Sequence, residues 1–540
     1  MCLLNSGLLW YPFVFLIFFN QFARVKQHLF KSTLVVSCMT TLSRVFGLVR
    51  DIVIASLFGP GMGMDAFIVA FRIPNFLRRL FAEGGFSQAF VPVLSEYKEQ
   101  RPPAAVRALV DQTSATLGLS LLATTVIGVI AAPALVSLFA LGWFFGGEHQ
   151  KLALAGYMLR ITFPYLLLIS LTAFAGGILN TYRRFAVPAF TPVLLNISLI
   201  TCAVWLAPAF PEEQRVVALA WGVILAGVVQ LLFQFPFLHQ LGMVPRPGLN
   251  RDREGVRRII KLLIPTLFAI SITQINLLVD TLIASFLVTG SISWLYFSDR
   301  MVEFPLGIFG IALATVILPS LSAHHATGSW DSYHKTLDWA LRWVILIALP
   351  AAAGLALLAK PVLIVMFQYR EFSPHDVEMA GRSLMAYSLG LPGFILIKVL
   401  STGFFSRQDT KTPVTIGVIA MLTNVVLNLA LVVPLAHAGL ALATSLAAYV
   451  NAGLLFAALV KRGHYRREPG WVRYLWGIGF ALAVMAVLLH VLVPDAGKWL
   501  DWGIPDRILQ LTLWIGAGAA GYLLALYVTG IRPHRMTSHP

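Results

Sequence analysis

Asp65-Ala66-Phe67-Ile68-Val69-Ala70-Phe71-Arg72-Ile73-Pro74-Asn75-Phe76-Leu77-Arg78-Arg79-Leu80-Phe81-Ala82-Glu83 is apolar enough to enter a bilayer, yet it carries Asp65, Arg72, Arg78, Arg79 and Glu83. Its centre, Phe71-Arg72-Ile73-Pro74, has a partner in Asp299-Arg300 followed by Phe304-Pro305. Around it, Ile54-Ala55-Ser56 pairs with Ile283-Ala284-Ser285, and Pro92-Val93-Leu94-Ser95 pairs with Pro319-Ser320-Leu321-Ser322. The offset stays near about 228 residues, which is the signature of a duplicated bundle of membrane helices. A charge at the centre of a bilayer costs about 2.5–3.5 kcal/mol on insertion scales, so charges repeated in both copies mark a transport pathway.

The composition agrees with this reading. Of 540 residues, 58% are hydrophobic and 12% charged, far more apolar surface than a soluble core of this size could hide. Mean hydropathy is +0.79. The expected fold is an all-α polytopic membrane protein of about fourteen helices. The spans are expected near 31–57, 64–93, 112–141, 152–180, 187–208, 216–240, 258–286, 291–322, 338–368, 377–405, 413–434, 437–460, 471–493 and 508–531. A second pair of matching segments supports the duplication. Gly177-Ile178-Leu179-Asn180 with Arg183, Arg184 and Pro188 resembles Gly403-Phe404-Phe405-Ser406 with Arg407, Lys411 and Pro413. Six helices separate corresponding points, so the two copies are parallel repeats. Domains are expected at 31–241 (first lobe), 242–257 (a cytoplasmic linker rich in Pro and charge), 258–461 (second lobe) and 462–540 (two added helices and a tail). The apolar run Gly7–Phe19 is short for a span and no basic segment precedes it, so residues 1–30 read as an upstream extension, with an interfacial segment or an extra short helix as the alternatives.

The formal charge of +16 raises the question of nucleic acid, but the placement of the bases excludes it. Arg183, Arg184, Arg246, Arg251, Arg253, Arg257, Arg258, Arg407, Lys411, Lys461, Arg462, Arg466 and Arg467 fall in alternate loops on one side. The other side has only Lys151, Arg215, Arg370, Lys498 and Arg507. The positive-inside rule then puts both ends of the fourteen-helix unit in the cytoplasm. Cys2, Cys38 and Cys202 have no ligand or disulfide spacing and read as packing residues. His324, His325 and the other histidines read as surface groups. No Ser/His/Asp, P-loop or HExxH pattern suggests an enzyme or an ATP-driven pump, so energy must come from an ion gradient, the membrane potential or the substrate's own gradient.

Charges gather on four helices. The first carries Ser43, Arg44, Arg50 and Asp51, with Arg44 too deep to snorkel. Arg44 and Arg50 share a cavity only if it is wide or the helix bends at Gly47. On the second, Asp65, Arg72 and Arg79 form a stripe, but Pro74 allows Arg78 to point inward equally well. The seventh carries Gln274, Asn276 and Asp280, and the eighth carries Ser291, Ser293, Asp299, Arg300 and Glu303. A plainer account is that these charges pair and merely lock helices together, and the near-equal numbers of arginines and acids allow it. Asp51, Arg72, Asp299 and Glu303 suit that role best. Against it, apolar packing joins helices at lower cost, and an arginine fork suits bidentate binding of a diphosphate. One such contact at an effective dielectric of about 20 is worth about 4 kcal/mol before desolvation.

The segments Ser43-Arg44-Val45-Phe46-Gly47-Leu48-Val49-Arg50-Asp51, Asp65 through Gly84, Phe86-Ser87-Gln88-Ala89-Phe90-Val91-Pro92, Asp299-Arg300 with Glu303-Phe304-Pro305, and Ser406-Arg407-Gln408-Asp409 with Lys411-Thr412-Pro413 resemble the MurJ (MviN) lipid II flippases of the MOP exporter superfamily. The resemblance runs from about Lys31 to the C-terminus, and residues before Leu29 depart from it. It implies a bacterial inner-membrane protein of two six-helix lobes around a cationic cavity, with two more helices forming a lateral groove. The implied substrate is undecaprenyl-diphosphate-linked disaccharide-pentapeptide, carried to the outer leaflet by alternating access for peptidoglycan assembly and cell shape. It further implies cavity arginines at Arg44, Arg50, Arg78 and Arg300, with Ser43 beside them and Asp65, Glu83, Arg79 and Glu303 as gate or support. No cofactor is implied beyond coupling to Na+, for which Asp280 is the candidate ligand, or to membrane potential. Expected partners are lipid II, membrane lipids and the cell-wall synthesis machinery, with the chain acting as a monomer. The alternative is an exporter of the same superfamily for another lipid-linked oligosaccharide or for small drugs; several cavity arginines disfavour cationic drugs.

Overall fold

The computed structural model describes residues 27–79, 86–246, 248 and 254–532, and every described element is helical. Ten helices among them are long and apolar enough to cross a membrane. The helices that position the site are α1 (Gln27–Phe58), α2 (Met62–Arg78), α3 (Phe86–Gln100), α4 (Pro103–Ile130), α5 (His149–Thr181), α6 (Ala186–Ala209) and α7 (Val217–Gln240). The second half continues with α8 (Glu254–Ala284), α9 (Ser291–Ala326), α10 (Trp330–Leu357), α11 (Pro374–Phe405) and α12 (Lys411–Lys461), and the chain ends in α13 (Trp471–Leu492) and α14 (Ile504–Val528). Helix α2, at 17 residues, is shorter than these ten, and α8 contributes the shorter apolar stretch Ile275–Ala284.

Local sequence sets the helix ends. Pro103 and Pro374 open α4 and α11, where a missing N–H costs nothing. Ser373 and Asp376 form a reciprocal capping box at the start of α11. Gly290 and Gly470 take left-handed conformations just before α9 and α13. The 51-residue α12 is two rods meeting at Ala436, whose φ of 49° breaks the helix beyond Pro434. In α9, a π turn over Leu306–Gly310 follows Pro305.

In the first half α6 packs between α1 and α7, and α5 packs on α2 and α7. In the second, α11 lies against α9, α10 and α12, and α8 packs on α12. The end of the molecule that carries residues 98, 183, 246, 326, 407 and 462 is called the basic side below, and the opposite end the far side.

The last two helices pack on one another, and α13 docks on α10. Asp338, buried in α10, accepts from Tyr465 Oη (2.6 Å), Trp471 Nε1 (2.7 Å) and Arg342 Nε (2.8 Å). At the far side Arg507 donates to Gln368 Oε1 (2.8 Å) and to the carbonyl of Leu500 (2.9 Å). The pair is therefore tied to the second half at both ends. Its outer faces, with Val472, Trp476, Phe480, Leu509, Leu513 and Leu524, are exposed and apolar, as lipid contact requires.

Several sequence expectations shift. The third span starts at Pro103 instead of 112 and stops at Ile130, with Ala132–Phe139 a separate helix opened by Pro133. The ninth starts at Trp330 and ends at Leu357, with Ala359–Phe367 separate. Helix α8 begins at Glu254, inside the expected linker, because its first turn continues onto buried Val256 and Ile259. Helix α1 begins at Gln27, and residues 1–26 lie outside the described residues. It runs unbroken through Gly47. Cys38 is exposed, so the packing role holds for buried Cys202 alone of the two described. His437 is buried, not superficial: its Nε2 lies 2.9 Å from the Met379 carbonyl oxygen and its ring meets Trp294.

Candidate functional site

The seam between the halves, where the C-terminal third of α1 meets the N-terminal third of α9, holds an ion network. Arg50 is buried; its Nη2 and Nε donate to Asp51 Oδ1 at 2.7 and 3.0 Å. Its Nη1 donates to Asn196 Oδ1 at 2.9 Å, and Asn196 Nδ2 donates in turn to the carbonyl of Ser43 at 3.1 Å. One amide of α6 thus fixes Arg50 and the backbone beside Arg44. From α9, Tyr296 donates its hydroxyl to Asp51 Oδ1 at 3.1 Å. Arg300, four residues on, lies over the Tyr296 ring at 4.9 Å, with Nε 3.6 Å from Asp51 Oδ2 and Nη1 2.6 Å from Glu303 Oε2. Two arginines from opposite halves therefore share Asp51, and each has an acid of its own half beside it.

Arg44 is half-buried, one and a half turns from Arg50 toward the basic side. A Cβ on Gly307 would fall in the space its guanidinium occupies, so the π turn of α9 presents bare backbone to this side chain. Arg78 and Arg79 are both half-buried, and Arg78 Nε donates to Asn75 Oδ1 at 2.8 Å. Glu83 lies outside the described residues. Arg72 crosses to α8, where it donates to the Thr281 hydroxyl and, at 3.4 Å, to the Leu277 carbonyl. Asp299 is half-buried beside Arg300.

Asp65 does something else. Its carboxylate accepts from Gly290 N (2.7 Å), Ser293 N (2.9 Å) and Ser293 Oγ (2.6 Å). An acid of the first half so caps the N-terminus of α9, satisfying orphan N–H groups and opposing the positive end of the helix dipole. Nearby, Ser285 Oγ accepts from Gly142 N (2.9 Å), Lys151 Nζ donates to Thr289 Oγ1 (2.6 Å), and the Glu371 amide donates to the Ser56 carbonyl (3.2 Å). The far side is thus shut over the arginines. On the basic side, Arg258 of α8 makes two parallel 2.7 Å bonds to Glu96 of α3, and Gly255 sits against Tyr97 and Leu109.

Comparison with known proteins decides what this arrangement belongs to. The sequence profile of the family described as Lipid II flippase MurJ matches residues 54–499. A Vibrio cholerae protein named probable lipid II flippase MurJ is 50% identical over 94% of this chain and 97% of its own. The chain belongs to the MurJ family. A Burkholderia cenocepacia protein named lipid II flippase MurJ is 43% identical over 94% of this chain and 98% of its own. A solved structure titled lipid II flippase MurJ, inward closed conformation, superposes with a TM-score of 0.76 at 26% identity, covering 92% of this chain and all of that one. A MATE multidrug transporter of the MOP superfamily in an inward-facing conformation has a TM-score of 0.65 at 15% identity, over 79% of this chain and 97% of its own, which is a likeness of fold.

Within this MurJ-family chain the structure brings Arg50, Arg300 and Glu303 into one network, sets Arg44 against the same helix, and separates Asp65 toward the far side. Sequence reasoning missed Tyr296 and Asn196. Tyr296 lies one helical turn before Arg300 on the same face, a usable signal. Asn196 stands in an apolar run and had only its polarity in hydrocarbon to mark it. Asp280 accepts from Asn428 Nδ2 at 2.6 Å, and Asn424 and Asn276 lie alongside. Among the described residues no three His, Cys, Asp or Glu groups cluster as metal ligands. Asn424 and Asn428 turn amide N–H groups to Asp280, and the Asp280 carboxylate with Asn428 Oδ1, buried without a partner, offers hard oxygens that suit a monovalent cation better than zinc.

Proposed function

We propose that this chain is a lipid II flippase, a transporter and not an enzyme, carrying the undecaprenyl-diphosphate-linked precursor across the inner membrane for peptidoglycan synthesis. The observation that carries this reading is Asp51 held between Arg50 and Arg300 at the seam of the two halves. Paired with acids, the arginines meet the membrane interior without bare charge. An arriving diphosphate offers more oxygens and more charge than Asp51 and Glu303, and exchanges with them for the guanidinium forks. Arg44, Arg50, Arg78 and Arg300, with Ser43 beside them, are the proposed diphosphate contacts, Asn196 holds the Ser43 carbonyl, and Arg79, Glu83 and Glu303 support the site.

The basic loops face the cytoplasm, with both ends of the helical unit there. The far side is then periplasmic, and its closure by Asp65 leaves loading to the cytoplasmic leaflet. The polyprenyl tail stays in lipid along α13 and α14 while the head group crosses. Loading requires the Glu96–Arg258 contact on the basic side to part, and release requires α9 to leave Asp65 while that contact holds. Asp280, Asn424 and Asn428 are the groups that would hold a sodium ion, which would supply a charge to balance Asp280 within the second half.

In proteoliposomes a membrane-impermeant quencher reaches head-group-labelled lipid II of the outer leaflet at once, and that of the inner leaflet only after it has crossed. Wild-type chain should raise the accessible fraction, and Arg300→Ala should not; equal accessibility with and without the chain would refute the reading.

A further inference from the structure

The basic side of the second half carries a further group of arginine and histidine side chains, apart from the central arginines. Trp330, at the start of α10, leaves its indole exposed. The His464 ring stacks on it at 5.8 Å with planes 19° apart, and His325 meets it edge-on at 5.5 Å. His334 Nδ1 lies 3.2 Å from the His464 carbonyl oxygen. Arg407 uses Nε for the Gly403 carbonyl at 3.0 Å, while its Nη2 is buried with no partner, and His325 Nδ1 is buried and unpartnered too. Burial first, then Arg407, Arg462, His334 and His325, hold His464 below its usual protonation range, so all four lie within electrostatic reach of one ring.

The acids nearby are already committed. Asp409 binds Arg462 at 2.7 Å and the Thr412 hydroxyl at 2.7 Å, and Asp331 binds Lys335 at 2.6 Å. Glu468 faces Lys335, and Arg466 faces Asp331. A buried donor without an acceptor is costly, and Arg407 Nη2, ringed by Arg462 and by imidazoles that can donate, is completed by an anion. Its position among helix ends on the basic side, beside an exposed indole, is where phosphate head groups lie.

We propose that His325, His334, Arg407, Arg462 and His464, gathered around Trp330, form a binding site for a phosphate group, carried by an anionic lipid head group or by a soluble phosphate. Arg407 Nη2 and His325 Nδ1 donate to its oxygens, and the indole lies flat against the adjoining apolar part.

The full chain in nanodiscs of phosphatidylcholine with a minor fraction of phosphatidylglycerol, released and analysed by native mass spectrometry, tests this. The expected result is phosphatidylglycerol retained by wild type and lost about tenfold in both Arg407→Gln and His325→Gln, the latter touching only a ring edge and so leaving the fold intact. If lipid retention is unchanged but millimolar inorganic phosphate raises the Tm of wild type and of neither variant, the ligand is a soluble phosphate. Equal lipid retention together with equal response to phosphate in all three proteins would overturn the site.

Discussion

Asp51 of α1 and Arg300 of α9 stand 3.6 Å apart across the seam between the halves, and Asp51 is at the same time 2.7 Å from Arg50. One carboxylate thus holds two arginines from opposite halves. Removing a partner from a charged hydrogen bond costs about 1.5–3 kcal/mol, so Arg300→Ala should cut lipid II transport at least tenfold. Membrane amounts should stay near wild type, since Arg300 is partly exposed. Complementation of a depleted strain with immunoblotting of the membrane fraction checks both.

Asp65→Asn replaces one acceptor oxygen by an amide that cannot accept from both Gly290 and Ser293. The far side should then open more readily. A disulfide between Ser56→Cys and Glu371→Cys, whose backbones are hydrogen-bonded, should form less often in the Asp65→Asn background. Equal cross-linking would show that Asp65 does not hold this side shut.

Glu96 and Arg258 should act as a pair. Glu96→Arg or Arg258→Glu alone should impair transport, and the double swap should restore most of it. The Arg258 guanidinium holds Glu96 below the usual carboxylate range. A depressed folded-state value means that the link is fully present above the ordinary carboxylate pKa and is lost as pH falls through the depressed one. Between pH 6 and 8 the contribution of this pair should therefore be flat, and it should weaken with salt because both groups are exposed.

Gly307→Ala should displace the Arg44 guanidinium and lower transport, by less than Arg44→Ala because the flexible side chain can shift aside. Gly354→Ala, with nothing near its would-be Cβ, should be silent. Growth of depleted cells on each variant separates the two.

Asp280→Asn should reduce transport and abolish any dependence on sodium. Loss of transport with sodium dependence intact would remove Asp280 from ion binding.

The helical class, the duplication and the charged helices were legible because hydropathy and charge in hydrocarbon leave strong marks. Arg44 and Arg300 could be named from sequence because a charge deep in an apolar helix is conspicuous, whereas Arg50 could be named through the family resemblance. Their wiring could not. Asn196 looks like any polar residue in a span, yet it joins Ser43 to Arg50. Asp65 shares a helical stripe with Arg72, but the break after Phe58 and the capping geometry of Gly290 send it to the far end of α9, something that only the approach of two distant helices decides. The boundaries at Pro103 and Glu254 slipped because both helices start before the charged residues Arg107, Asp111, Arg257 and Arg258 that precede their apolar cores.

The most direct test is external labelling of lipid II on the outer face of the inner membrane, before and after depletion of this chain. The account predicts that exposure falls while lipid II accumulates inside, and that wild type but not Arg300→Ala restores it. Unchanged exposure on depletion, or full restoration by Arg300→Ala, would contradict it.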